Sequence, residues 1–122
     1  MNLIKIGLAS LNPTVGAIES NVSKTIGVAA EMSSAKCSLG AFTEQVISGY
    51  PTEELVQWQG FLEAQWRGLK RFAAETRELP FPTLFVLGLA VETKGLIYNA
   101  AAVVARGEIL GIVPKETLPT YD

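Results

Sequence analysis

The sequence predicts an α/β fold with a mixed sheet and helices on one face. Three observations carry this. Short apolar runs alternate with two stretches at helical spacing over the first eighty residues. Three further apolar runs then follow in succession, separated only by tight-turn signals. About half of the chain is apolar (48%) and 18% is charged, the composition of a packed domain and not of a disordered segment. The order read along the chain is β-α-β-α-β-β-β, and such an order forms layers of helices against a sheet.

Leu3 to Ser10 reads as the first strand and is mostly apolar, as expected of a strand buried on both faces. Asn12-Pro13 marks a turn, because a proline restricts the residue before it and presets its own φ. Val15 to about Ser33 has helical spacing: Ile18, Val22, Ile26 and Ala29/Ala30 share one stripe, with Lys24 on the outer face. Gly27 weakens that helix by about 1 kcal/mol relative to alanine. A second short strand lies within Cys37 to Val46 and ends near Phe42. Ser48-Gly49-Tyr50-Pro51 is a turn cluster. Thr52 can cap the next helix, with Glu53 and Glu54 opposing its dipole. Its stripe is Trp58, Leu62, Trp66, Leu69 and Ala73, and it ends before Pro80. Strands follow at Thr83 to Val91, Leu96 to Ala105 and Glu108 to Val113. The turns between them fall at Glu92-Thr93-Lys94-Gly95 and Arg106-Gly107, and Pro114 stops the last strand.

Composition excludes several function classes. The 122 residues suit one domain. Ten basic and twelve acidic residues are evenly spread, so no nucleic-acid surface is expected. The longest apolar run, Leu84 to Val91, is far short of a membrane span. One cysteine rules out an internal disulfide framework, and a cytoplasmic setting is the default expectation. The chain has no histidine, which excludes Ser-His-Asp or Cys-His catalysis and imidazole zinc sites within it. No Gly-x-Gly-x-x-Gly and no P-loop is present, so no cofactor is expected in this chain.

Glu44 and Lys115 each lie just past a strand, where α/β folds gather functional groups on a rigid scaffold. On pattern alone both read equally as solvated surface charges. Their local sequences are more specific. Phe42-Thr43-Glu44-Gln45-Val46-Ile47-Ser48-Gly49-Tyr50-Pro51 resembles the catalytic-glutamate segment of the carbon–nitrogen hydrolase (nitrilase) superfamily, with threonine at Thr43 where that family usually has proline. Pro114-Lys115-Glu116-Thr117-Leu118-Pro119-Thr120-Tyr121 resembles its catalytic-lysine segment. Ile97 to Ala101 and Gly107 to Gly111 look like the hairpin leading into that lysine. Asn12-Pro13-Thr14-Val15-Gly16, with Asn21 beyond, is similar to a segment of the glutaminase domains of NAD synthetases. Four such pieces in order cover nearly the whole chain.

The resemblance implies a nitrilase-like αββα sandwich, of which residues 1–122 would be the first part. It implies a Cys-Glu-Lys mechanism with Glu44 as acid/base and Lys115 as oxyanion partner, and glutamine as substrate. Tyr50 and Tyr121, each six residues past one of these, would line the glutamine pocket. The nucleophile would follow a later strand, outside this chain. Cys37 is not expected to be that nucleophile, because it precedes Glu44 by seven residues where the family has a small structural residue. Alone, the chain is therefore expected to be inactive. Its partners would be the remainder of the polypeptide, with ATP and magnesium serving only a separate synthetase domain. A sheet covered on one face leaves an apolar face bare, so a homo-oligomer or pairing with a complementary fragment is expected.

Overall fold

A computed structural model describes residues 3–49 and 59–115. The element order is β1 (Ile6–Leu8), α1 (Ile18–Ser34), β2 (Leu39–Ala41), α2 (Gln59–Thr76), β3 (Leu84–Thr93), β4 (Leu96–Ala105) and β5 (Glu108–Pro114). The five strands form one sheet in sequence order. β1, β2 and β3 are parallel, and β4 and β5 add antiparallel. The carboxyl ends of β1, β2, β3 and β5 therefore share one end of the sheet, together with the start of β4.

Both hairpins turn in two residues. Lys94-Gly95 and Arg106-Gly107 all have positive φ, between 52° and 86°, the left-handed pair that matches strand twist. The second turn was expected at Arg106-Gly107; the first is tighter than the four-residue turn expected at 92–95, because β3 runs on to Thr93.

The pleat sorts the strands into two faces. Phe85, Leu87 and Leu89 of β3, with Ala102 and Val104 of β4, are essentially buried under the helices. Phe72 of α2 stacks edge-to-face on Phe85 at 5.5 Å and on Phe42 at 6.1 Å between ring centroids. The other face carries Leu8, Val86, Val103 and Val113. No described helix or strand covers it, although the turn that follows β2 packs over Gly88 near its carboxyl end; Leu8 is 81% and Val113 60% exposed.

This corrects the expectation for the first strand. Leu3 to Ser10 forms only a three-residue strand, and Ile6 and Leu8 are exposed instead of buried on both sides. The physical reason is position: β1 is a sheet edge and half of its apolar side chains point to the bare face. The helices also shift. α1 begins at Ile18 and not Val15, because Gly16 takes φ 82° and closes a turn first. The α2 stripe is Leu62, Gln65, Leu69, Phe72 and Ala73. Trp66, expected within it, is 42% exposed on the flank. Trp58, Thr52, Glu53 and Glu54 lie outside the described residues.

Candidate functional site

The chain leaves β2 at Ala41 and enters a compact turn over residues 44–48. Phe42 N–H donates to the Val86 carbonyl (2.9 Å), carrying the parallel pairing one step further. Gln45 then adopts φ 50°, a left-handed conformation that costs a non-glycine residue of order 1 kcal/mol. The cost is met by packing. Val46 and Ile47 are fully buried, and Gly49 N–H closes the turn on the Gln45 carbonyl at 2.8 Å.

Two close approaches fix where the turn sits. It lies directly over Gly88 of β3: a Cβ there would collide with the Gln45 backbone nitrogen and lie 3.0 Å from the Glu44 Cα. On its other side Gly49 touches Val15, where a Cβ would come within 2.8 Å of the backbone. The turn is thus pressed between the sheet and the Asn12-to-Gly16 segment. Asn21 clamps the two together. Its Nδ2 donates to the carbonyls of Thr14 (2.8 Å) and Ile47 (3.0 Å), and its Oδ1 accepts from Thr14 N–H (2.9 Å). Gly16 N–H adds a bond to the Ser48 carbonyl at 2.9 Å. Asn21 is buried, and these three bonds meet the needs of its amide.

The Glu44 side chain, half-exposed, meets Lys115 from the end of β5: the Nζ to Oε1 distance is 3.7 Å. Lys115 N–H donates to the Asn99 carbonyl at 2.9 Å, which prolongs the β4–β5 ladder past Pro114. Asn99 also donates from Nδ2 to Glu44 Oε1. The three side chains surround a cavity of about 230 Å³ with Gly88, Val86 and Val113 at its floor. It opens on the bare face of the sheet, at the carboxyl end of the parallel strands.

The structure therefore brings Glu44 and Lys115 together from widely separated positions in the sequence. Tyr50 and Tyr121 lie outside the described residues. Cys37 is buried at the amino end of β2, where its sulfur faces Gly7 beneath the helices. The length of β2 and the sheet itself separate it from Glu44. Asn99 was absent from the sequence-based set. Its signal was available: a polar residue inside an otherwise apolar run, Leu96 to Ala105.

A larger cavity of about 740 Å³ lies between α2 and the ends of β3 to β5, lined by Leu62, Trp66, Tyr98 and Ile112. Its charged groups, Glu63, Arg67 and Glu92, are exposed and do not converge on one another in any ion pair among the described residues. No group of three or more His, Cys, Asp or Glu residues that could hold a metal occurs among the described residues. No helix there is long and apolar enough to cross a membrane.

The mixed five-stranded sheet with its two helices is a nitrilase-like α/β fold. A nitrilase-superfamily amidase from Nesterenkonia superposes over 97% of this chain and 44% of its own, with a TM-score of 0.77 at 18% identity, a likeness of fold. No family model matches the chain. Over nearly its whole length the chain is homologous to the N-terminal part of glutamine-dependent NAD(+) synthetases. The enzyme of Thermotoga maritima is 38% identical over 121 residues, and that of Aquifex aeolicus 38% over 119. Among solved structures, the synthetase of Cytophaga hutchinsonii matches 95% of the chain with a TM-score of 0.86 at 27% identity. That of Acinetobacter baumannii matches 98% with 0.82 at 32%. The chain spans about one-fifth of the length of these relatives: 20% of the first two and 19% and 22% of the structures.

Proposed function

We propose that residues 1–122 form the first part of a glutamine amidohydrolase domain that supplies ammonia to NAD synthesis. The observation that supports this best is the meeting of Glu44 and Lys115 in a cavity at the strand ends. The nucleophile is a cysteine contributed by the remainder of the polypeptide, approaching from the bare side of the sheet.

The chemistry follows from the two groups. Glu44 takes the proton of the thiol, and the thiolate attacks the side-chain carbonyl carbon of glutamine. The tetrahedral oxyanion is stabilised by the Lys115 ammonium, at about 3 kcal/mol for one such donor. The C–N bond breaks as Glu44 returns the proton to the departing ammonia, leaving a thioester. Water, deprotonated by the same carboxylate, then cleaves the thioester to glutamate and regenerates the thiol. Tyr50 and Tyr121, assigned on the family resemblance, line the pocket for glutamine. ATP and magnesium serve the synthetase portion, which lies outside this chain, in a cytoplasmic enzyme.

In the complete polypeptide, Glu44→Gln and Lys115→Ala should each abolish glutamine-dependent synthesis and leave ammonia-dependent synthesis intact. Loss of both activities together would show that these residues serve folding and would overturn the reading.

The bare apolar face supports a second reading for the chain by itself: a catalytically inactive, self-associating module. Sedimentation of the isolated chain should then show dimers or larger species. A monodisperse monomer would refute it.

A further inference from the structure

We propose that Asn99 is the positioning residue of this site, and that it determines which oxygen of Glu44 carries the proton. The proposal rests on the assignment of Glu44 as the acid/base.

Asn99 is the fourth residue of β4 and pairs with Ala90 of β3, so its place is set by the sheet and not by a loop. It touches both functional groups with different atoms. Its Nδ2 donates to Glu44 Oε1, while its carbonyl accepts from Lys115 N–H. Lys115 Nζ lies 3.7 Å from that same Oε1. Both donors therefore converge on one carboxylate oxygen, and Oε2 accepts no hydrogen bond among the described residues. A carboxylate acting as acid/base needs this asymmetry. One oxygen is held, which fixes the plane of the group. The other, free of a hydrogen bond among the described residues, is left to exchange a proton with the nucleophile and then with ammonia.

The ion pair alone cannot supply this. Glu44 and Lys115 are 50% and 46% exposed, and pairs so solvated are weak and have no fixed geometry. A neutral amide from a strand interior holds the carboxylate in either charge state of its surroundings. It also cannot compete for the proton, as an acid at position 99 would.

The test uses two variants in the complete polypeptide. Asn99→Leu keeps the shape and the backbone bond to Lys115 but removes the donor. Asn99→Asp keeps the size and sets a second carboxylate against Glu44. A misplacement of about 1 Å in a reacting group costs roughly 100-fold. Both variants should lose about that factor in kcat for glutamine hydrolysis, with KM within about threefold and ammonia-dependent synthesis unchanged. Should Asn99→Leu fail to fold, Asn99→Asp decides. A soluble variant with kcat within about threefold of wild type overturns the proposal. So does loss of folding by both variants, or parallel loss of both activities, since either marks Asn99 as structural. Glu44→Gln serves as the reference: if it retains glutamine hydrolysis, the functional reading has failed, whereas an inactive Glu44→Gln beside active Asn99 variants removes this inference alone.

Discussion

Glu44 and Lys115 reach the same point of the molecule, yet they are held there by opposite means. The Glu44 turn is buried from behind. It is pressed against Gly88, closed over fully buried Val46 and Ile47, and clamped by Asn21 to the Asn12-to-Gly16 segment. Lys115 stands at the end of an edge strand, tied by one backbone bond to Asn99. The difference teaches where the cost of building this site lies. Two exposed charged side chains contribute little to stability, and the precision of their meeting comes from neutral groups behind them.

That contrast can be broken at its strongest point first. Gly88→Val places side-chain atoms where the Gln45 and Glu44 backbone lies, and the turn cannot move without losing its clamp. We expect a loss of about 3 kcal/mol, read as a shifted denaturation midpoint, together with loss of the proposed glutamine hydrolysis in the complete polypeptide. An unchanged midpoint would show that the turn is free to lift from the sheet.

Asn21→Leu comes next. It removes a buried amide and strands the Ile47 carbonyl and the Thr14 N–H, while the Thr14 carbonyl keeps its bond from Ala17 N–H, at a cost of about 2 kcal/mol. In the complete polypeptide the proposed glutamine turnover should fall through the displaced Glu44 turn, although Asn21 itself does not line the cavity. Full activity with normal stability would mean that the clamp is redundant with the Gly16-to-Ser48 bond.

At the Lys115 end, Lys115→Ala should change stability by less than about 1 kcal/mol, because the pair it breaks is half-exposed. Equilibrium unfolding measures this directly, and a loss comparable to that of Asn21→Leu would erase the asymmetry between the two seats. Smallest of all is the expected stability effect of Leu8→Lys on the bare face, within about 0.5 kcal/mol for the isolated chain. Its consequence should appear instead in sedimentation, as a shift toward smaller species.

Much of this architecture is legible in the sequence. The hairpin pair Arg106-Gly107 must turn left-handed, and glycine is the residue that does so freely. The bounds of β4, Leu96–Ala105, follow directly from the two turns that flank it. Glu44 and Lys115 were legible as residues at strand ends, and their flanking motifs as resemblances. Other features were not. Leu3 to Ser10 has the composition of a buried strand, but composition does not say that the strand lies at an edge with a bare face. Trp66 fits a helical stripe as well as Gln65 does, and only the docking angle of α2 puts the amide inside.

By itself the sequence determined the order of elements, the places where the chain turns, and which charged residues stand at the ends of strands. These depend on periodicity and on local backbone preference, which act over a few residues. Only the tertiary structure decided that Glu44 and Lys115 share one cavity, that Asn99 reaches Glu44 across 55 residues of chain, and that Asn21 holds the turn from behind. Such contacts are set by strand register and by the packing of loops on a sheet. A one-residue slip in that register would turn Asn99 to the helical side and leave the local sequence unchanged.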